Sequence, residues 1–288
     1  MLGAKVQSKI DICSYVPVWE RVIGMNTTSA TRSSKASATG PDPSWADLYR
    51  IGGISALLAT LLYIVATVVD FTVPAAPTSG GAATLEYIAQ HRSVYILEQV
   101  LWLAPSVLLM VAFLALYVVL KDLNKSYAAI GGVLGIASWA LTLVYPATGG
   151  GAPALVYLSD QYVSATSDAQ RAAFAAAAET FIAQNTIPTA VGILEPIGIL
   201  IFALIMLKGI FHRSVAYLGI ATGALGIFSE ALRPVLGLGY IVYGLLLFVW
   251  FMAIGWELYR LARNRGKSRP AYEPNPDKGG DYEHAGSL

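Results

Sequence analysis

Six long apolar stretches separate the few charged residues of this chain, and each is long enough to form a helix that crosses a membrane. A bilayer core about 30 Å thick requires about 20 apolar residues in helical conformation. The predicted spans are Ile51–Val73, Tyr95–Leu120, Ala128–Tyr145, Ile187–Leu207, Val215–Ala231 and Tyr240–Tyr259. The sequence therefore predicts an all-α fold, a polytopic membrane helix bundle with six transmembrane helices.

The distribution of charge supports this prediction. Residues 1–50 and 260–288 contain 10 charged side chains each, which leaves 17 of the 37 for the residues between them. A composition that is 56% hydrophobic with a net charge of +1 excludes a disordered chain and a nucleic-acid-binding protein. We expect a flexible polar tail at 1–48, the bundle at 49–262 and a disordered tail at 263–288. Met25 is an alternative start, and residues 1–24 are expected to be poorly ordered.

Lysine and arginine lie mainly on one side of the predicted membrane. The N-terminal tail, the turns 121–127 and 208–214 and the C-terminal tail hold 16 of the 19 basic residues. The segments on the other side hold only Arg92, Arg171 and Arg233. Because basic segments are retained in the cytoplasm, both tails are predicted to be cytoplasmic.

The long connection 146–186 contains a predicted external helix. Ser167 followed by Gln170 forms a capping-box pattern, and an alanine-rich run extends from there to Gln184. The apolar residues of that run fall on one helix face, which predicts one external amphipathic helix. They are Phe174, Ala178, Phe181 and Ile182. The helix would serve as a packing cap over the bundle or as a gate.

Two pairs of glycines indicate close helix packing. Gly131 and Gly135 lie four residues apart in span three, and Gly219 and Gly223 have the same spacing in span five. This spacing exposes bare backbone on one helix face, so that another helix can approach closely. Spans three and five are therefore predicted to form the buried centre of the bundle.

Glu195 is the most costly residue in the predicted membrane. An ionised carboxylate at a helix centre costs about 2.5–3.5 kcal/mol on insertion scales, and Glu195 is the ninth residue of its span. Pro196 follows it and removes the amide that would bond the Gly192 carbonyl, which predicts a helix kink. A carboxyl group beside such a break resembles the interrupted helices of transporter sites. The alternative is a structural glutamate that is protonated or hydrogen-bonded.

Other charges are predicted at a similar depth. Glu98 lies near the outer start of span two, and Glu230 and Arg233 lie at the outer end of span five. Glu230 and Arg233 are three residues apart and can pair locally, while Arg233 is also the nearest candidate counter-charge for Glu195. We therefore predict an outward-facing polar pocket formed by Glu98, Glu195, Glu230 and Arg233. Asp70, near the end of span one, is expected to lie at the membrane interface.

The sequence identifies no catalytic residue, metal site or cofactor. No lysine lies within a span to form a Schiff base, and no histidine lies at the depth of Ser106 or Ser138 to activate a hydroxyl group. His91 and His212 are in predicted loops, and a single cysteine, Cys13, cannot build a cysteine metal site. The sequence therefore favours a protein that is not an enzyme.

Three segments carry a resemblance to a known family. They are Tyr49–Gly53, the segment Leu158–Tyr162 with Gln170–Phe174, and His212–Gly219. Through them, residues 45–263 resemble the DUF4386 family of prokaryotic integral membrane proteins. The resemblance implies six spans and location in a prokaryotic plasma (inner) membrane, and it implies no activity or site residue.

Two functions remain open at this point. The first, which the sequence favours, is a structural or accessory subunit of a membrane assembly. Its partners would be the lipid bilayer and other membrane subunits or a second copy of the chain, and no nucleic acid. The second is a small transporter or channel for protons, cations or a small polar solute that uses Glu195. The two differ in whether Glu195 is tied up within the protein or faces water.

Overall fold

A computed structural model of the chain describes residues 41–74, 77, 79–144, 154–184 and 189–266. The predictions for residues 1–40 and 267–288 lie outside this part. Within it the regular structure is helical and contains no β-strand, which confirms the all-α prediction. The helices are α1 (Ala46–Thr72), α2 (Gly81–Gln90), α3 (Arg92–Leu120), α4 (Lys125–Val144), α5 (Ala154–Ser164), α6 (Asp168–Gln184), α7 (Ala190–Met206), α8 (Arg213–Ala231), α9 (Arg233–Leu236) and α10 (Tyr240–Gly266).

Five of these helices are long and apolar enough to cross a membrane by length and composition, namely α1, α3, α4, α8 and α10. They fit the prediction of a multi-pass membrane protein. The predicted fourth span corresponds to α7, which has only 17 residues and is therefore about 26 Å long. It is short because Thr189 precedes it in extended conformation, with φ −114° and ψ 148°, and Leu207 ends it. The structure thus gives five full-length spans and one short apolar helix among the described residues.

The six apolar helices pack in a closed cyclic order. α1 packs between α10 and α3, α3 continues to α4, α4 to α7, α7 to α8, and α8 returns to α10. Neighbours along the chain are antiparallel. The Lys121 ammonium group at the end of α3 lies 5.1 Å from the centre of the Trp45 ring before α1. At the opposite end, Trp102 of α3 donates to Asp70 of α1.

Glycines set the closest approaches in this ring. A Cβ atom at Gly53 of α1 would lie 2.7 Å from the backbone nitrogen of Tyr259 in α10. Around α7, a Cβ at Gly223 of α8 would lie 2.7 Å from the Pro196 carbonyl oxygen, and one at Gly131 of α4 would lie 3.0 Å from the Phe202 ring. The glycines of α4 and α8 therefore flank α7 from two sides. It is α7, rather than α4 or α8, that lies between the glycine-bearing helices.

The other glycines of the two predicted pairs pack against large side chains of neighbouring helices. A Cβ at Gly135 would lie 1.9 Å from the Phe113 ring, and one at Gly219 would lie 2.5 Å from the Trp250 indole nitrogen. Phe113, Phe202, Trp250 and Phe251 are all buried and form the aromatic centre of the bundle. In contrast, the outer faces of α1, α3 and α10 expose many large apolar side chains, as expected of surfaces in contact with lipid.

Three helices form a separate cap at one end of the ring. α2, α5 and α6 pack on one another around Leu85, Ile88, Leu155 and Ala178, and Tyr95 at the start of α3 joins this cluster. The predicted external helix corresponds to α6, and the Ser167 hydroxyl oxygen accepts from the Gln170 amide at 3.3 Å. The sequence did not predict α2 or α5. We call this end of the bundle the capped end.

Contacts from distant parts of the chain hold the cap together. The Glu179 carboxylate of α6 accepts from the first amide of α2, that of Gly81, at 2.6 Å. The Ser159 hydroxyl group of α5 donates to the Leu85 carbonyl of α2 at 2.7 Å, and Asp160 pairs with Arg92. The short helices α2 and α5 therefore depend on tertiary contacts that local sequence does not reveal.

We expect Gly53→Ala to destabilise the bundle. The added methyl group would lie 2.7 Å from backbone of α10, which cannot move as a side chain can, and overpacking of this kind costs about 1–3 kcal/mol. The matched control is Gly244→Ala, because a Cβ there meets nothing within 4 Å and a glycine inside a helix gains about 0.5–1 kcal/mol on becoming alanine. Thermal unfolding in detergent should rank Gly53→Ala below wild type and Gly244→Ala at or above it. Equal midpoints for the two variants would contradict the close contact of α1 with α10.

Candidate functional site

The predicted site residues all lie in the half of the bundle near the capped end. Glu98 lies in the second turn of α3 and Glu195 in the second turn of α7, while Glu230 ends α8 and Arg233 begins α9. Because these helices alternate in direction, the starts of α3 and α7 meet the end of α8 at the same end of the bundle. In the structure Glu230 pairs with Arg233, whereas Glu195 and Glu98 each lie among other residues.

Glu230 is fully buried and fully bonded. Its Oε1 atom accepts from the Thr189 amide at 2.7 Å and from the Thr189 hydroxyl group at 3.1 Å. Oε1 also accepts from Arg233 at 3.3 Å, and Oε2 accepts from the Tyr240 hydroxyl group at 3.1 Å. Charge-assisted bonds of this kind are among the strongest that a protein forms. They make an ionised carboxylate at this position stable in an apolar environment.

The sequence around α7 is built to receive this carboxylate. Thr189 is the N-cap residue of α7, and its hydroxyl oxygen accepts from the Gly192 amide at 3.1 Å. A Cβ at position 192 would lie 2.3 Å from the Glu230 carboxyl carbon, so only glycine leaves enough room there. The positive end of the α7 dipole also favours a negative charge at this point. Glu230 therefore fixes the start of α7 against the end of α8.

Arg233 pairs with Glu230, the local partner that the spacing of three residues predicts. Its guanidinium group also lies 5.2 Å from the centre of the Tyr240 ring, within the range of a cation–π interaction. Its side chain is only 13% exposed. The counter-charge that the sequence offers to Glu195 is therefore engaged by Glu230.

Glu195 is in a different state from Glu230. Only 8% of its surface is exposed, and its Oε1 atom has no hydrogen-bond partner among the described residues. α7 continues as a helix through Pro196, whose nitrogen carries no hydrogen for the Gly192 carbonyl. Glu195 thus lies beside a gap in the backbone hydrogen bonding of its own helix.

Groups from several helices surround Glu195. Tyr63 from α1 and Tyr243 from α10 lie in the neighbourhood of Glu195, and the Tyr243 ring and Pro196 both flank Gly226. Ser106 of α3 is fully buried close to the Tyr63 hydroxyl group, and Trp139 of α4 packs 6.3 Å from Tyr63 between ring centres. We call Glu195, Tyr63, Ser106, Trp139 and Tyr243 the inner polar cluster. Three further buried atoms of the cluster have no hydrogen-bond partner among the described residues, namely the Ser106 and Tyr243 hydroxyl oxygens and the Trp139 indole nitrogen.

Glu98 belongs to a second group, nearer the capped end. Its carboxyl group is an electrostatic neighbour of that of Asp70 in α1, and the Trp102 indole nitrogen donates to Asp70 at 3.4 Å. We call Asp70 and Glu98 the carboxyl pair. Both are partly exposed, and Asp70 is thus a partner of Glu98 rather than an isolated interfacial residue.

The sequence did not identify Tyr63 or Tyr243 as site residues. Tyrosines in membrane helices usually lie in the interfacial belt, and Tyr240 lies close enough to the start of α10 to fit that pattern. Tyr63, however, lies nine residues before the end of α1. Its depth within an apolar helix is the signal that could have singled it out.

The inner polar cluster has the chemistry of a small binding site. One carboxyl group and three hydroxyl groups can accept or donate a proton, or bind a small cation through oxygen. In the described residues, no group of three histidine, cysteine, aspartate or glutamate side chains is arranged to bind a metal ion. The arrangement therefore points to binding at the single carboxylate of Glu195.

Comparison with known proteins assigns no family or function. No family model, curated protein or solved structure matches the chain.

The same substitution should affect the two glutamates in opposite ways. Glu230→Gln replaces a carboxylate that accepts four hydrogen bonds with an uncharged amide, whose nitrogen can only donate. Each charge-assisted bond is worth about 1.5–3 kcal/mol, so this variant should be less stable. Glu195→Gln removes a buried ionisable group whose Oε1 atom has no partner among the described residues, so stability should be unchanged or higher. Thermal unfolding of the two variants in one detergent measures the difference. A larger loss for Glu195→Gln than for Glu230→Gln would show that Glu195 is the structural residue.

Proposed function

We propose that this integral membrane protein binds a proton, a small cation or a small polar solute at Glu195 and transports it across the bilayer. The observation that supports the proposal is the contrast between two neighbouring carboxyl groups. Glu230 accepts four hydrogen bonds, whereas Glu195 Oε1 is buried without one among the described residues. A protein that needed Glu195 only for packing could satisfy it as it satisfies Glu230.

A negative charge on Glu195 carries a free-energy cost inside the bilayer. An ionised carboxylate without partners is costly inside a membrane, so the group must take up a proton or a cation or contact water. The surrounding hydroxyl groups of Tyr63 and Tyr243 can bond either form. Glu195 is thus a group whose state changes with its ligand, as a transport site requires.

The alternative is an accessory subunit, in which the glycine pairs, the external helix and the basic tail serve packing and association and Glu195 is tied up within the protein. Among the two glutamates, the fully bonded carboxylate is Glu230. The resemblance to the DUF4386 family is retained as a proposal and adds no residue to the site. We therefore favour transport over a purely structural role.

We also propose that the protein lies in a prokaryotic plasma membrane with its cap outside and both termini in the cytoplasm. The basic residues support this orientation, because Lys121, Lys208 and Arg213 lie at the end of the ring opposite the cap. Arg92 and Arg233 lie near the capped end instead, and each of them is paired with a carboxylate.

Single cysteines in a Cys13→Ser background should report this orientation. A membrane-impermeant maleimide added to intact cells is expected to label Gln170→Cys in α6 and to spare Lys125→Cys at the start of α4, since both positions are exposed but lie at opposite ends. Labelling of both after lysis controls for reactivity. The reverse pattern on intact cells would place the cap in the cytoplasm.

Flux into liposomes tests the transport proposal. The full chain is reconstituted, and proton uptake and the uptake of monovalent cations and small polar solutes are measured with wild type and Glu195→Gln. We expect wild-type flux and its loss in Glu195→Gln, because the amide cannot take up a proton or carry a negative charge.

Glu257→Gln provides the matched control for this assay. Glu257 is as buried as Glu195. It lies in the half of α10 away from the cap, and its carboxylate pairs with Arg260 at 3.1 Å. Its variant should retain flux. Equal flux in wild type and Glu195→Gln, or the absence of flux above empty liposomes, would contradict the proposed function.

A further inference from the structure

A groove on the outer surface of the bundle runs between α1 and α10, in the half away from the cap. We propose that this groove binds an anionic phospholipid, with an acyl chain in the groove and the phosphate group at Arg50 and Arg263. The lipid would come from the leaflet at the end opposite the cap, which we call the uncapped end. We call the site the lipid groove. It is separate from Glu195 and does not depend on the proposed transport.

The lipid groove follows the close contact of α1 with α10. A Cβ at Gly53 would lie 2.7 Å from the backbone nitrogen of Tyr259, and one at Gly255 would lie 3.1 Å from that of Leu57. The two helices are therefore antiparallel and meet at backbone distance. The side chains that line the groove enclose about 350 Å³, and all are apolar or aromatic, namely Ile54, Leu57, Leu58, Leu61, Trp256 and Tyr259. Such a lining favours a hydrocarbon chain.

The groove opens towards the surrounding lipid. Four of its six lining side chains are 43–57% exposed, namely Ile54, Leu58, Leu61 and Trp256. The same two helix faces continue towards the bilayer centre with exposed apolar side chains, namely Val65 and Val68 in α1 and Leu245, Val249 and Met252 in α10. From Trp256 to Leu245 this apolar track is about 16 Å long. Because the hydrocarbon core is about 30 Å thick, the track has the length of an acyl chain that spans one leaflet.

Two arginines lie where the groove reaches the uncapped end. Arg50 precedes Ile54 by four residues, so it lies one turn beyond the groove on the same face of α1. Arg263 follows Tyr259 by four residues and has the same relation to the groove on α10. Since Gly53 packs against Tyr259, the two arginines lie at one level. Both are exposed, and neither forms an ion pair with a carboxylate among the described residues.

The other charged residues nearby leave these two arginines available. Arg260 is also exposed, but it pairs with Glu257 at 3.1 Å. Asp47 lies one turn beyond Arg50, further from the groove, in the first turn of α1, where the helix dipole favours a negative charge. Arginine binds phosphate oxygens through two parallel N–H donors. The end of the groove therefore offers a site for a phosphate group.

An apolar groove with a positive end matches the chemistry of a phospholipid. A transmembrane helix could cover the apolar part, but it would need carboxylates of its own at the level of the arginines. The Trp256 and Tyr259 rings, 6.4 Å apart between centres, lie between the two parts of the site, and such residues are enriched at the headgroup level. A zwitterionic headgroup would add a positive charge beside the arginines. Basic sites between membrane helices bind anionic headgroups, so an anionic lipid is the better match.

Quenching of Trp256 by brominated lipids tests the site. The full chain is reconstituted in phosphatidylcholine with increasing fractions of a lipid that is brominated in its acyl chains, either phosphatidylglycerol or phosphatidylcholine. The signal of Trp256 is the part of the fluorescence that is absent in Trp256→Phe. We expect brominated phosphatidylglycerol to quench this signal at a mole fraction about tenfold lower than brominated phosphatidylcholine.

Two double variants with the same change of charge separate the site from a general effect of surface charge. Arg50→Gln with Arg263→Gln removes two positive charges beside the groove. Lys208→Gln with Arg213→Gln removes two at the same end of the bundle, between α7 and α8. All four side chains are exposed, so both variants should fold. The first should abolish the preference for phosphatidylglycerol, and the second should retain it.

Equal quenching by the two lipids in wild type would overturn the proposal. A preference that survives in Arg50→Gln with Arg263→Gln would do the same. Loss of the preference in Lys208→Gln with Arg213→Gln would also overturn it, since the effect would then reflect the charge of the whole surface. The absence of quenching by either lipid would contradict a lipid site and would indicate that a protein helix, such as one from a second copy of the chain, covers the groove.

Discussion

The bond set of Glu230 is the interaction on which the rest of the bundle depends. A carboxylate in an apolar environment is stable only when strong donors surround it, and Glu230 collects them from three places: the start of α7, the turn after α8 and the start of α10. In doing so it fixes the N-terminus of α7, the shortest of the six apolar helices in the described part of the chain. Removing Glu230 would leave Thr189, Arg233 and Tyr240 without their shared acceptor, so three chain segments would lose their mutual position together.

Glycine packing completes the placement of α7. The α4 glycines on one side and Gly223 and Gly226 on the other let α7 approach both neighbours at backbone distance, and Ser138 of α4 donates to the Val191 carbonyl at 2.7 Å. This position turns Glu195 towards Tyr63 and Tyr243, which come from helices on other sides of the ring. The inner polar cluster is therefore a product of helix packing, because no two of its members are close in sequence.

The sequence predicted the apolar helices well, because burial in lipid imposes a simple requirement on composition. It also predicted the pairing of Glu230 with Arg233, which depends only on a spacing within one turn. It failed where structure depends on distant contacts. α2 forms because Glu179, nearly a hundred residues away, accepts from its first amide, and Glu98 is paired with Asp70 because α1 and α3 are antiparallel neighbours. The length of α7 was overestimated, since hydropathy does not reveal that Thr189 caps the helix. For the same reason Tyr63, an ordinary residue by composition, became a site residue only once the packing was known.

The two halves of the bundle differ in chemistry, and the difference constrains how any transport could occur. The half near the cap contains the carboxyl pair and the inner polar cluster, whereas the other half is filled by aromatic rings. A ligand bound at Glu195 can leave towards the uncapped end only if that aromatic layer opens. The element best placed to open it is α7, because it carries both Glu195 and Phe202, lacks a backbone donor at Pro196, and contacts its neighbours largely through glycines. A change of charge at Glu195 would act directly on this helix, and the fixed point of the motion would be its start, which Glu230 holds.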